Sequence, residues 1–190
     1  MEPNRLNEPG EKRAPAAGII ACFLMMALPC ASVRAQQPSE YQVKAAFVYN
    51  FARFVDWPEG TPEQTFVIGI LGEDPLGRAL EAVVNQKTVN GRPIVVRRIA
   101  SAAAGRDCRV VFISASEQRR VPAILDVLKG SAVLTVGESE GFAKQGGMIN
   151  FIMEDDRVRF EVNVDAAEQA RLKISSRLLR LARIVKGSGG

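Results

Sequence analysis

Few side chains in this chain of 190 residues could carry out catalysis or hold a metal. It contains 25 Lys and Arg, 21 Asp and Glu and three Cys, but no His. Without histidine no Ser-His or Cys-His nucleophile can form, and metal sites built on imidazole are excluded. An enzyme built on this sequence would have to use carboxylates, lysine or a thiol.

The acidic residues that lie close in sequence give no catalytic arrangement. Glu154, Asp155 and Asp156 could suggest a hard cation, which prefers clustered carboxylates. Three consecutive side chains cannot all reach one ion without unusual backbone geometry, so a solvated turn is the favoured interpretation. Glu138 and Glu140 flank a loop and have no acid-base partner that spacing identifies. We therefore predict that the protein is not an enzyme and has neither a cofactor nor a metal ion.

A glycine-rich segment, Gly69-Ile70-Leu71-Gly72 with Gly77, resembles a phosphate loop only superficially. Its spacing matches neither the dinucleotide fingerprint nor the P-loop, and no basic residue stands where a phosphate would need one. A tight turn between a strand and a helix explains these glycines.

The first 35 residues have the pattern of a secretory signal peptide. A basic segment precedes an uncharged stretch over residues 14–33, and Val33-Arg34-Ala35 ends it with a small-x-small sequence. The apolar centre, residues 18–28, is short for a membrane span of about 20 residues. We predict cleavage after Ala35 and export to the periplasm. Retention as an anchor and lipoprotein processing at Cys30 are the alternatives, although Pro29 makes a poor lipobox.

Cleavage would leave a chain that fits one domain. Removing residues 1–35 takes away four basic and three acidic residues, which leaves a net charge of +3 on 155 residues. No basic patch is interleaved with aromatic residues, so the sequence does not indicate nucleic-acid binding. Cys108 would be the one remaining cysteine. It is either a buried apolar residue, which its place before a strand favours, or a thiol for an intermolecular bond.

Hydrophobic periodicity predicts alternating helices and strands after a flexible stretch at residues 36–40. A helix capped by Ser39 runs towards Trp57-Pro58, and two later helices begin at Asp74-Pro75 and at a capping box of Ser114 with Glu117. Gly130 closes the last of these, and Asn90-Gly91 is a turn. Strands are predicted at Phe66–Leu71, which is apolar enough to be covered on both faces, and at residues 94–99, 109–113 and 132–136.

The pattern changes at Gly146-Gly147, which suggests a close backbone approach or a bulge. Residues 148–153 have apolar side chains on both faces, whereas residues 158–164 alternate, with Glu161 and Asn163 among the polar positions. Joined by a short acidic turn, these runs predict an antiparallel hairpin with one face in solvent.

A final helix is predicted over residues 166–185, with a basic face that is either solvated or meets an acidic partner or a membrane surface.

The predicted fold class is a three-layer α/β sandwich whose partly parallel sheet is mixed at one edge by the hairpin. The domain covers residues 41–185, and residues 186–190 form a flexible tail. At the sheet edge, one hairpin face would need a cover, either the last helix or a second molecule.

Several sequence motifs follow one another along the chain. They are Val43-Lys44-Ala45-Ala46-Phe47 with Asn50-Phe51, Phe54-Val55-Asp56-Trp57-Pro58, Asn90-Gly91-Arg92-Pro93, Gly141-Phe142-Ala143, Gly146-Gly147-Met148-Ile149-Asn150-Phe151, Val158-Arg159-Phe160-Glu161-Val162-Asn163 and Leu172-Lys173-Ile174-Ser175-Ser176-Arg177-Leu178-Leu179. In type and order these motifs resemble those of the YfiR family of periplasmic proteins. The resemblance runs from about residue 41 to residue 185.

The resemblance implies a periplasmic repressor that binds the periplasmic part of an inner-membrane diguanylate cyclase, and so controls cyclic di-GMP signalling and biofilm formation. It also implies an outer-membrane lipoprotein that sequesters the repressor, and a homodimer. A sensor kinase is a further possible partner, and a small-molecule-binding envelope sensory domain is the alternative function. Paired cysteines serve redox sensing in some members, whereas the exported chain would keep one, so control by an intrachain disulfide does not apply here.

The hairpin and the segment after it are the predicted contact surface for a partner protein. The residues that we expect to take part are Met148, Phe151, Glu161, Asn163 and Arg177.

Overall fold

A computed structural model describes residues 38–58 and 64–187 of the chain. The predicted signal peptide at residues 1–35, the adjoining residues 36 and 37, and residues 188–190 of the predicted tail lie outside the described residues.

Helices and strands alternate along most of the described chain. The helices are α1 (Glu40–Phe54), α2 (Gly77–Val84), α3 (Val121–Leu128), α4 (Val164–Gln169) and α5 (Ser176–Leu179), with 3₁₀ turns at Ala103–Asp107 and Ala115–Arg120. The strands are β1 (Val55–Asp56), β2 (Phe66–Leu71), β3 (Thr88–Val89), β4 (Arg92–Ile99), β5 (Val110–Ile113), β6 (Leu134–Gly137), β7 (Ile149–Glu154), β8 (Arg157–Asn163), β9 (Lys173–Ile174) and β10 (Arg183–Val185).

Most of these strands form one eight-stranded sheet, in the order β10-β8-β7-β6-β5-β2-β4-β3. Within this order the five neighbouring strands β7, β6, β5, β2 and β4 are all parallel to one another. β8 is antiparallel to β7, β10 is parallel to β8, and β3 is antiparallel to β4. β1 and β9 pair separately as a short antiparallel ribbon. The predicted fold class, with a largely parallel sheet and an antiparallel hairpin, is confirmed.

Two apolar cores lie on opposite faces of the sheet, because side chains alternate along the wholly buried strand β2. Ile68 and Ile70 pack in a cluster with residues of α1 and α2, whereas Val67 and Leu71 pack in a second cluster with residues of α3. Helices on both faces of the sheet make the three layers that the sequence predicts.

Helix α1 holds the hairpin β7–β8 through aromatic contacts. Ser39 and Gln42 form a capping box at its start. The Phe47 and Phe51 rings lie 5.3 Å and 5.0 Å from that of Phe160. The helix ends at Phe54, earlier than the predicted stop at Trp57-Pro58, because the next two residues pair with β9.

The other predicted helix starts and turns differ from the structure in detail. Asp74 Oδ1 accepts a hydrogen bond from the Gly77 amide, but α2 begins at Gly77 rather than directly after Asp74. Ser114 caps a 3₁₀ turn that leads into α3. Asn90 and Gly91, with φ of 50° and 77°, form the predicted turn between β3 and β4. Gly130, with φ of 77°, follows α3 as expected.

The hairpin is confirmed, but the prediction that one face of β8 is exposed to solvent along its whole length is wrong. Arg157 and Arg159 are exposed, whereas Glu161 and Asn163 are buried. β10 returns to pair with the second half of β8, and its Arg183, together with Asn150 of β7, donates to the Glu161 carboxylate. Asn163 instead donates to the Ala143 carbonyl in the loop after β6. The edge of the sheet is therefore β10, and the hairpin lies one strand inside it.

The predicted helix over residues 166–185 is also wrong. Arg171 adopts a φ of 60° and ends the short helix α4. The chain then pairs with β1, makes one turn of helix at α5 and pairs with β8. The basic residues of this segment therefore do not lie on one helix face.

Cys108 and the paired glycines agree with their sequence interpretation. Cys108, two residues before β5, is 2% exposed, as expected for a buried apolar residue. A Cβ added at Gly147 would overlap the Phe142 ring, so the glycine allows the close backbone approach that was predicted. Gly146 has a φ of 102°, which favours glycine.

Candidate functional site

A charged crevice of about 470 Å³ lies beyond the carboxyl end of β6, between the start of α1 and the hairpin β7–β8. We call it the β6 crevice. The residues that give it its chemistry are Lys44, Glu138, Ser139, Asn150, Glu161 and Arg183. Loops that follow parallel strands are the usual place for ligand sites in α/β proteins.

One wall of the crevice is a buried ion pair between α1 and the loop after β6. Lys44 Nζ lies 2.6 Å from Glu138 Oε2 and 2.5 Å from Glu40 Oε1. The side chains of Lys44 and Glu138 are only 6% and 5% exposed, whereas that of Glu40 is 42% exposed. Lys44 Nζ also lies 4.8 Å from the centre of the Tyr41 ring.

Lys44 and Tyr41, which both belong to this wall, hold their protons more tightly than usual. Burial acts to lower the pKa of Lys44, but the hydrogen bonds and charges of Glu138 and Glu40 outweigh it, and the pKa is raised. The pKa of Tyr41 is raised by burial first and by the charge of Glu138 second. Lys44 is therefore a cation whose charge is already compensated.

The opposite wall is formed by Glu161 on β8. Its Oε2 accepts a hydrogen bond of 3.2 Å from Asn150 Nδ2, and its Oε1 accepts one of 3.1 Å from Arg183 Nε. The hydrogen bonds and charge of Glu161 raise the pKa of the exposed Arg183 guanidinium. This contact joins the edge strand β10 to the crevice.

Two buried polar atoms in the crevice have no hydrogen-bond partner among the described residues. They are Ser139 Oγ and Asn150 Oδ1, on residues that are 2% and 1% exposed. An unsatisfied buried polar group costs about 1–3 kcal/mol. The fold therefore keeps two unused hydrogen-bonding groups on residues that line the crevice.

The residues expected to contact a partner lie in different places. Phe151 and Glu161 come together in the β6 crevice, and each is at most 5% exposed. Met148 is 7% exposed, and its amide donates to Thr135 Oγ1 at 3.1 Å. Asn163 is 1% exposed, with Nδ2 donating to the Ala143 carbonyl at 2.8 Å.

Arg177, the fifth predicted residue, is exposed on α5. It lines a small apolar pit of about 140 Å³ with Phe47, Asn50, Phe54, Leu178 and Leu181. Leu181 and Ile184 nearby in the chain are 66% and 52% exposed. This exposed part of the chain, the α5–β10 surface, consists of Arg177, Arg180, Leu181 and Ile184.

Sequence reasoning missed most of the residues in the crevice. Spacing identifies no partner for Glu138, because its partner Lys44 lies 94 positions earlier in the chain. The spacing of Glu40 and Lys44 could have indicated only a helical i,i+4 pair. Ser139, Asn150 and Arg183 carry no pattern that distinguishes them in sequence.

The predicted acidic turn joins the two strands of the hairpin. Asp155 and Asp156 have φ of 49° and 55°, and they form the two-residue connection between β7 and β8. Within residues 38–58 and 64–187, no three His, Cys, Asp or Glu side chains are grouped so that they could hold a metal ion. No helix in the same part of the chain is long and apolar enough to cross a membrane.

Comparisons with known proteins assign the chain to a family. No curated protein matches it. A family model described as YfiR/HmsC-like matches residues 41–183, about three quarters of the chain. The family is one of periplasmic, regulatory domains. The chain therefore belongs to the YfiR/HmsC-like family.

Proposed function

We propose that the protein is exported to the periplasm and represses an inner-membrane signalling protein by binding its periplasmic part. The partner is a diguanylate cyclase, so that the protein controls cyclic di-GMP and biofilm formation without enzymatic activity of its own. Membership of the YfiR/HmsC-like family over residues 41–183 carries this proposal. The free protein holds the partner in its inactive state, and an outer-membrane lipoprotein removes that hold by sequestration.

The α5–β10 surface is where we expect the partner to dock. It carries two exposed arginines together with exposed leucine and isoleucine side chains, a combination that suits an acidic partner with an apolar anchor. Arg177 would contact that partner directly. Phe151, Glu161, Met148 and Asn163 would act by holding the hairpin and β10 in place, because their side chains are buried.

A second copy of the chain is the other partner that we propose. β10 is the last strand of the sheet in the described residues, and it is three residues long. A strand at a sheet edge presents unpaired backbone groups, which a second molecule can use. Light scattering of the purified protein would report the homodimer.

Capture of the partner from envelope extracts tests the proposed function. Immobilised protein is expected to retain a membrane protein with a periplasmic domain, and a deletion strain is expected to contain more cyclic di-GMP. Arg177→Glu should weaken capture at least ten-fold, since it reverses a charge on the docking surface. Arg119→Glu is the matched control, because Arg119 is also exposed but precedes α3 on the other face of the sheet. Unchanged cyclic di-GMP with no captured signalling protein would contradict the proposal.

A further inference from the structure

The β6 crevice has the features of a binding site that the repression of a membrane protein does not require. Its volume of about 470 Å³ lies within the range of sites for small molecules. Charged and polar groups from α1, β7, β8 and the loop after β6 converge on it. Two of those groups, Ser139 Oγ and Asn150 Oδ1, are buried and have no partner in the described chain.

The orientation of the Asn150 amide determines which ligands the crevice can take. Asn150 Nδ2 donates to Glu161 Oε2 at 3.2 Å, and an ionised carboxylate accepts hydrogen bonds but does not donate them. Turning the amide round would place two acceptors against each other. Asn150 Oδ1 is therefore the amide atom left without a partner, and a ligand that satisfies it has to bring a hydrogen-bond donor.

The charges around the crevice favour a cationic donor. Glu40, Glu138, Glu140 and Glu161 line it, against Lys44, Lys144 and Arg183. Lys44 is engaged by Glu138 and Glu40, and Arg183 is engaged by Glu161. Two of the three cations are thus paired with carboxylates, and the four carboxylates outnumber the three cations by one negative charge.

We propose that the β6 crevice binds a small molecule through an ammonium group. An ammonium carries three donors, which suffice for Ser139 Oγ, Asn150 Oδ1 and one carboxylate. The apolar part of the ligand would lie on Phe151 and Ile152, which also line the crevice. This inference does not depend on the identity of the partner protein or on repression.

Calorimetric titration of the purified protein with three probes of equal length tests the ligand class. 1,4-Diaminobutane is expected to bind at least ten-fold more tightly than 1,4-butanediol, and succinate is expected to bind more weakly than either. Raising the salt concentration should weaken diamine binding, because the crevice is open to solvent and its charges are screened. Equal binding of the diol, tighter binding of succinate, or no binding of the diamine overturns the proposal.

Two substitutions assign the binding to this crevice. Ser139→Ala removes an unpartnered hydroxyl, so it should weaken diamine binding several-fold while the melting temperature stays the same or rises. Glu140→Gln removes an exposed charge from the rim and should weaken binding, whereas Glu168→Gln, on exposed α4, should not. Binding that is unchanged in both crevice variants overturns the assignment. Should Ser139→Ala fail to fold, the comparison of Glu140→Gln with Glu168→Gln still decides it.

Discussion

Replacing Glu138 with glutamine tests whether the buried ion pair fastens α1 to the sheet. The substitution keeps the shape of the side chain but removes the charge that faces Lys44, whose side chain is 6% exposed. Breaking a buried pair from one side costs about 3–5 kcal/mol. Glu40 remains 2.5 Å from Lys44, but it is 42% exposed, so it offsets only about 0–1 kcal/mol. We therefore expect Glu138→Gln to lower the free energy of unfolding by about 3 kcal/mol.

Urea unfolding followed by circular dichroism measures this loss. With a slope of about 1–3 kcal/mol per molar urea, the midpoint should fall by about 1–3 M at an unchanged slope. Glu81→Gln is the control, because its pair with Arg98 is about half exposed on both sides and should contribute less than about 1 kcal/mol. The double variant Lys44→Met with Glu138→Leu should recover most of the loss, since apolar residues replace a buried pair at little cost. A loss below about 1 kcal/mol in Glu138→Gln, or a double variant no more stable than the single one, would refute the reasoning.

Three further predictions concern packing, pH and the thiol. Gly147→Ala should lower the free energy of unfolding by about 1–3 kcal/mol, because the added methyl group overlaps the Phe142 ring. Thermal melts should show that the double variant Gly147→Ala with Phe142→Leu loses less than the sum of the two single losses, because the smaller leucine relieves the overlap. Because the pKa values of Lys44 and Tyr41 are raised, the folded protein keeps these protons longer, so the unfolding free energy should fall as pH rises above about 10. The fall should be smaller in Tyr41→Phe, and an equal fall would contradict this origin. Cys108, which is 2% exposed, should react with iodoacetamide far more slowly in the native protein than in urea; equal rates would show that it is accessible.

Elements that depend on local patterns were predictable from the sequence. Phe66–Leu71 is wholly apolar, and it forms a strand with those bounds because both of its faces are covered. Asn90-Gly91 and Gly130 occupy positions of positive φ that their residue types favour. The end of the chain was not predictable in this way. Its leucines have helical spacing, but pairing of residues 173–174 with β1 and of residues 183–185 with β8 outweighs that local preference.

The candidate site was predictable only in part, because contacts between distant segments create it. Glu161 lies at a position that alternation assigns to solvent, but it is buried, and Asn150 of β7 and Arg183 of the returning strand β10 donate to its carboxylate. Lys44 and Glu138 belong to elements that are far apart in the chain and meet where α1 crosses the end of β6. The hairpin motifs that resemble the family include Phe151 and Glu161, and both of these residues line the crevice.

Much of the buried polarity of the described chain is concentrated at this corner. Lys44, Ser139, Asn150 and Glu161 are all at most 5% exposed, and all four line the β6 crevice. Apolar side chains of similar volume would make a cheaper core, and proteins depart from that rule chiefly where function requires it. This separates stability from function in one experiment. The triple variant Lys44→Met, Glu138→Leu and Glu40→Gln is expected to unfold at nearly the urea concentration of the original protein, because Glu40 is 42% exposed and the buried pair is replaced by apolar side chains. It should nevertheless weaken binding of 1,4-diaminobutane, because it removes one cation and two carboxylates and so the excess of one negative charge in the crevice. A triple variant that keeps both properties would mean that the polar corner serves neither.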